Sequence, residues 1–196
     1  MKIWITLLFA LLLPASGWAD SPLTSTNFWK AYKDVPAVVQ AHDIERLNTT
    51  LAYYLISPAN SIDKKAAVIN ALTWDFNGKQ NAMLFREVLG IKYKVAPAQV
   101  DRRLNADEVF CLAYLTALDD YFHVEKALAL AEKARARNPK SFTVAMVAAL
   151  TRAQSRFSDQ KSLYGITQPV FDDRKLVQDM RPAGRAIIAE YMRLYK

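Results

Sequence analysis

Three short runs and one thiol in the sequence have side chains of the type and spacing that chemistry needs. His42-Asp-Ile-Glu45 sets an imidazole and a carboxylate at i and i+3, which one helical face would carry together. A di-metal site built on helices needs that spacing twice, with further glutamates from other helices, and here it occurs once. Ser61-Ile-Asp-Lys64 has the spacing in which a lysine one turn on takes the proton of an acylating serine. The accompanying Ser-Asp-Asn and Lys-Thr-Gly motifs are missing, and Ser61 stands where a helix N-cap is due. His123-Val-Glu125 matches half of a zinc-dependent deaminating centre, whose other half needs two cysteines. The chain has one, Cys111, set among apolar residues in Val109-Phe-Cys-Leu-Ala-Tyr-Leu115, where it reads as a small buried hydrophobe.

Carboxylates offer one more route. Asp119-Asp120 and Asp172-Asp173 are adjacent and point apart, so they read as turn and cap residues. Glycoside hydrolysis needs two carboxylates facing one bond, which distant helices could supply, for instance Glu45 with Glu87 or Asp101. No Gly-x-Ser-x-Gly elbow, phosphate-cradling glycine loop or His-Glu-x-x-His run occurs. The expectation is no catalytic residue, no metal ligand and no cofactor.

The elements that must position any site are helical. Five glycines in 196 residues and apolar recurrence at three and four positions predict an all-α fold, a helical bundle or short solenoid of paired antiparallel helices. Asp34 and Pro36 signal the start of a helix whose apolar spacing runs through Leu55 until Ser57-Pro58 ends it. Further helices are predicted from Ile62 to Trp74, stopped by Asn77-Gly78, and from Lys79 to Leu89, stopped by Gly90. Ile91 to Val95 reads as extended, and Pro97 opens a short helical stretch to Leu104. Asp107 to Asp119, Val124 to Arg137 and Phe142 to Phe157 follow, the last capped by Ser141. Gly165, Pro169 and Pro182 divide the tail into a loop, a short helix from Asp173 to Met180 and a terminal helix from Ala183 to Tyr195.

Residues 1–19 have the three parts of a secretory signal: Met1-Lys2, an apolar run from Ile3 to Leu13, and a small-residue exit ending at Ala19. That run is short of the roughly 20 residues a membrane-spanning helix needs. A cleaved signal, a single α-helical domain over 20–196, and a periplasmic or secreted location without a membrane span are therefore expected. With one cysteine the exported chain forms no internal disulfide, so packing alone stabilises it.

The segment Val124-Glu-Lys-Ala127-Leu-Ala-Leu-Ala131-Glu-Lys-Ala134-Arg-Ala-Arg-Asn-Pro139 resembles the second helix of a tetratricopeptide repeat, with small residues where paired helices approach and a closing proline. The preceding helix carries Tyr114 or Leu115 where that family prefers a small residue, and Phe142 to Ala153 resembles the first helix of a following unit, with Ala149 at its small position. The resemblance spans residues 107–157 and implies helical hairpins packed in tetratricopeptide style.

Formal charge is +7, and from Tyr121 to Lys161 eight basic residues stand against three acids. Lys133, Arg137, Lys140, Arg152 and Arg156 are the candidate contacts for an acidic protein partner. Nucleic acid is not expected for an exported chain that lacks zinc-finger or RNA-binding signatures. Aromatic residues recur in pairs, Phe28-Trp29, Tyr53-Tyr54, Trp74 with Phe76, and Tyr121-Phe122, and in each adjacent pair one ring is expected to face the core and the other outward. The overall look is similar to exported bacterial immunity proteins, which implies a non-enzymatic inhibitor that binds a toxin or effector in the bacterial envelope. A scaffold subunit of an envelope assembly and a small cell-wall hydrolase are the alternatives.

Overall fold

In the computed structural model, residues 21–196 are described. The signal peptide expected over 1–19 lies outside the described residues. The helices are α1 (Pro22–Ser25), α2 (Pro36–Ile44), α3 (Thr49–Ile56), α4 (Ile62–Ala71), α5 (Asn81–Tyr93), α6 (Ala106–Asp119), α7 (Glu125–Arg137), α8 (Phe142–Ser155), α9 (Gln160–Asp172) and α10 (Pro182–Met192). Tight 3-10 turns occupy Phe28–Tyr32, Pro97–Arg102 and Arg193–Tyr195. No strand occurs among the described residues, and one isolated bridge joins Ser141 to Val177. The fold is all-α.

Helices α6 to α9 pack each on the next, and α4 and α5 lie against α6. The two ends of the described chain close the arrangement. Helix α1 packs on α8, and the turn at Phe28–Tyr32 packs on both α4 and α10. One hydrophobic cluster runs from Leu23 to Met192, so both halves share a core.

Local signals explain the sharpest boundaries. Asn105 Oδ1 accepts from Glu108 N while Glu108 Oε2 accepts from Asn105 N, a capping box that starts α6. Ser141 Oγ accepts from Val144 N at the start of α8, and Asp179 Oδ1 accepts from Thr143 N at 2.8 Å. Ala127, Ala131 and Ala134 are buried on α7, and Ala131 meets Ala113 and Ala148 in a small cluster. Ala131 of α7 therefore meets Ala113 of α6 and Ala148 of α8, and Ala149 is buried in the main core. Tyr114 is a buried side chain whose hydroxyl accepts from Asn70 Nδ2.

Several predicted boundaries are corrected. The run from Pro36 to Leu55 is two helices: Glu45 takes a left-handed conformation (φ 49°), and Asn48 Oδ1 accepts from Leu51 N to start α3. Asp34 does not cap α2. Val35 holds that position, and the Asp34 carboxylate pairs with Arg181 across the chain. Helix α4 stops at Ala71, three residues short of Trp74, and Thr73 turns left-handed. Gly90 lies inside α5, which continues through Tyr93 until Lys94 takes the left-handed cap. A glycine is required at position 90 because a Cβ there would meet Val95 O at 2.9 Å. Residues 173–181 are not helical, because their backbone pairs with 140–142: Val177 N donates to Lys140 O and Phe142 N donates to Val177 O.

The expected loop before them is the helix α9, with Gly165 and Pro169 inside it. Pro169 removes the bond to the Gly165 carbonyl, a loss of about 3 kcal/mol in a helix interior. Burial of Leu163, Thr167 and Val170 along the inner face of α9, which packs on α8, offsets that loss.

Candidate functional site

Basic side chains expected from sequence as one contact surface are divided between α7, α8 and the link between them. Lys133 and Arg137, one turn apart, reach toward the turn at Pro97–Arg102: Lys133 Nζ donates to Asp101 O at 3.4 Å and Arg137 Nη1 to Leu104 O at 2.6 Å. Those bonds hold them beside Arg102 and Arg103, both exposed. Arg152 lies elsewhere, on α8, paired with Glu132 of α7 at 2.5 Å. Arg156 is exposed at the end of α8 and Lys140 between α7 and α8. Sequence reasoning missed Arg102 and Arg103, because they lie about thirty residues before Lys133 and Arg137 and no local signal ties the turn to α7.

The carboxylates at this end of α6 are already engaged. Asp101 forms a two-pronged pair with Arg86 (2.7 and 3.4 Å), Asp107 pairs with Lys65 (2.7 Å), and Glu108 pairs with Lys92 (2.6 Å). Glu108 also accepts from the Tyr93 hydroxyl at 2.6 Å, and burial together with that bond pushes the Tyr93 phenol up to about 12. Among the described residues no ion pair involves Arg102, Arg103, Lys133 or Arg137.

Arg152 lines a different feature, a cleft of about 440 Å³ between α7, α8 and α9, whose walls also carry Arg135, Glu132 and Asp173. Two cations face two carboxylates there, so the cleft has no preference for a ligand of either sign.

No known protein family, curated protein or solved structure matches the chain. The functional reading therefore rests on the geometry of these side chains.

Each motif considered for chemistry has a structural assignment. Ser61 precedes α4 without making the expected cap bond, and its Oγ donates to Asp63 Oδ1 at 2.5 Å. His42 is not an open surface residue: its ring stacks on Trp29 at 4.0 Å, and Nδ1 is shielded without a partner. Glu45 leaves the helix that carries His42, and its carboxylate lies 3.9 Å from Lys79. His123 Nδ1 is 3.1 Å from Asp120 Oδ1, both exposed. Cys111 is fully buried, and that burial raises its thiol well above the ordinary range. Asp101 and Glu87 line separate clefts. Among the described residues no three His, Cys, Asp or Glu side chains stand close enough to share a metal ion, and no helix is long and apolar enough to cross a membrane.

Two adjacent aromatic pairs divide as expected, Tyr53 and Phe122 facing outward while Tyr54 and Tyr121 pack against the core, and one does not. Phe28 and Trp29 are both buried, because the 3-10 turn carrying them lies between α4 and α10. At the far end of α6, Trp74, Phe76, Tyr121 and Phe122 gather from two loops. Trp74 stacks on Tyr121 (centroids 4.7 Å), while Phe122 meets Tyr121 edge-on at 4.9 Å and Phe76 at 5.3 Å. Trp74 keeps 37% of its surface exposed, Phe122 55% and Phe76 74%.

The loop presenting Trp74 and Phe76 is pinned. Asp119 accepts from Lys79 N and Ala82 N, and Lys79 Nζ donates to Leu72 O and Thr73 Oγ1. Burial pushes the Asp119 carboxyl upward and the Lys79 ammonium downward, a cost the short bonds offset. Gly78 makes the close pass possible: its φ is +72°, and a Cβ would lie 2.5 Å from Asp119 O. Gly78→Ala is expected to destabilise the chain by at least about 2 kcal/mol, from left-handed strain plus a clash with backbone that has no freedom to yield. Urea unfolding measures that loss, and Trp74 emission is expected to shift as the rings separate. An unchanged midpoint would show that the loop is not held by this contact.

Proposed function

We propose that the chain is an exported, non-enzymatic protein-binding domain of immunity type, which holds an acidic effector protein in the bacterial envelope. One observation carries this reading. At one end of the α6–α7 hairpin Arg102, Arg103, Lys133 and Arg137 converge without carboxylate partners, while the acids around them, Asp101, Asp107 and Glu108, are each committed to another cation. Four unneutralised cations on a rigid platform attract and orient an acidic surface, and such complementarity sets association rate and partner choice. The Leu104 carbonyl holds Arg137 at 2.6 Å, so little of that side chain's freedom is lost on binding. The alanine contact between α6, α7 and α8 supports tetratricopeptide-style packing, which suits an exposed recognition surface.

Reversing Arg102 and Arg103 together to glutamate tests the reading without touching the bonds of Lys133 and Arg137. Retention on an immobilised polyglutamate peptide is expected to fall at least about tenfold, with the unfolding midpoint unchanged. Equal retention of variant and wild type at low salt would remove the basic end from the account.

A further inference from the structure

The aromatic cluster at the opposite end of α6 is a second built surface. Helix α6 has 14 residues, so the two ends stand about 20 Å apart. Charge separates them as well. Residues 73–80 and 119–125, the two loops that carry the four rings, hold four carboxylates, Asp75, Asp119, Asp120 and Glu125, against Lys79 alone among lysines and arginines. That surplus is acidic in a chain whose formal charge is +7. Lys79 adds little positive field outward, since its side chain is 10% exposed and its ammonium is spent on Leu72 O, Thr73 Oγ1 and the nearby Glu45. Asp75, Asp120 and Glu125 are exposed beside the rings.

We infer that the corner formed by Trp74, Phe76, Tyr121 and Phe122 is a docking site for an arginine-bearing segment of a protein partner. The rings stand in two orientations: Trp74 lies near-parallel to Tyr121, at 27°, while Phe122 is turned 83° from Trp74 and 77° from Tyr121. A guanidinium stacks on aromatic faces and is drawn to their electron-rich side, and its remaining N–H groups seek carboxylates. Asp75 and Asp120 supply those within the same loops. Asp75 is oriented by its own turn, where Oδ1 accepts from Asn77 N at 2.9 Å, and Asp120 by the contact with His123. Gln154 Nε2 donates to Tyr121 O, which fixes the second loop as Asp119 fixes the first. Both walls of the corner are therefore set before anything binds. This site is independent of the basic end and selects the opposite charge.

The test titrates the full chain with an acetylated, amidated tetra-arginine peptide, following the Trp74 indole N–H resonance, with a tetra-glutamate peptide as the charge control. Saturable binding of the arginine peptide alone is expected. Its affinity, read for this variant by isothermal titration calorimetry, should fall at least about tenfold in Trp74→Ala. The same loss is expected in the double variant Asp75→Asn, Asp120→Asn, which keeps the side-chain oxygens that order the loops. Arg102→Glu with Arg103→Glu should leave the Trp74 response unchanged, so failure at the basic end and failure here are told apart. Equal affinity of wild type and Asp75→Asn, Asp120→Asn overturns the proposal. Two other results do the same: a Trp74 response to the glutamate peptide, and a response only to phosphatidylcholine vesicles, which would make the rings a lipid contact.

Discussion

Replacing Asp107 with alanine is expected to destabilise the protein by about 3 kcal/mol or more, whereas Lys65→Met should cost distinctly less. Lys65 projects from α4 with 1% of its side chain exposed, and its ammonium lies 2.7 Å from Asp107 Oδ2 on α6. Deleting the carboxylate leaves a buried cation without its counter-charge, and it also removes an acid from the first turn of α6, where the helix dipole favours one. Methionine at position 65 keeps the apolar stem, removes the charge, and leaves Asp107, 35% exposed, in reach of water. The asymmetry separates burial of the ammonium from general packing loss. Urea titrations of both variants measure it, and a larger loss in Lys65→Met than in Asp107→Ala would contradict the assignment.

Asn70→Leu is expected to be comparably severe. The Asn70 side chain, on a residue 4% exposed, accepts from Trp29 N at 3.0 Å and donates to Thr26 O at 3.2 Å and to the Tyr114 hydroxyl at 2.9 Å. It thereby joins α4 to the N-terminal segment and to α6. Leucine fills a similar volume and satisfies none of these groups, each of which then carries a desolvation penalty of about 1–3 kcal/mol. A combined loss near 3 kcal/mol corresponds to a fall in Tm of about 10 °C for a chain of this size. Calorimetry reads it directly. A fall of only a degree or two would mean that water replaces the amide and that the polar hub does not tie these elements together.

What the sequence made legible follows from how local each signal was. Helices α6, α7 and α8 were readable because their apolar spacing is unbroken within each, and α8 also because its cap is local, Ser141 Oγ accepting from Val144 N. The break between α2 and α3 was hidden because Leu47 and Leu51 stay buried on both sides of it, so the apolar spacing continues while the backbone does not. Gly90 and Pro169 were misread for a related cause. Each looked like a local stop, but one answers a close pass by Val95 O and the other sits in a helix held by its packing on α8. The site was less legible than the fold. Lys133 and Arg137 were recognisable as basic surface, but their union with Arg102 and Arg103 depends on hydrogen bonds to carbonyls about thirty residues away in sequence. The aromatic corner likewise joins loops separated by a whole hairpin, and only the tertiary fold brings Trp74 onto Tyr121.

The most direct test of the central claim is affinity capture from envelope extract, with the wild-type chain and its Arg102→Glu, Arg103→Glu variant as parallel baits. The account predicts one acidic protein bound stoichiometrically by wild type, released by salt, inhibited in the complex, and lost from the variant. Recovery of the same protein by both baits in equal amount, or of a partner whose activity the chain leaves untouched, would contradict it.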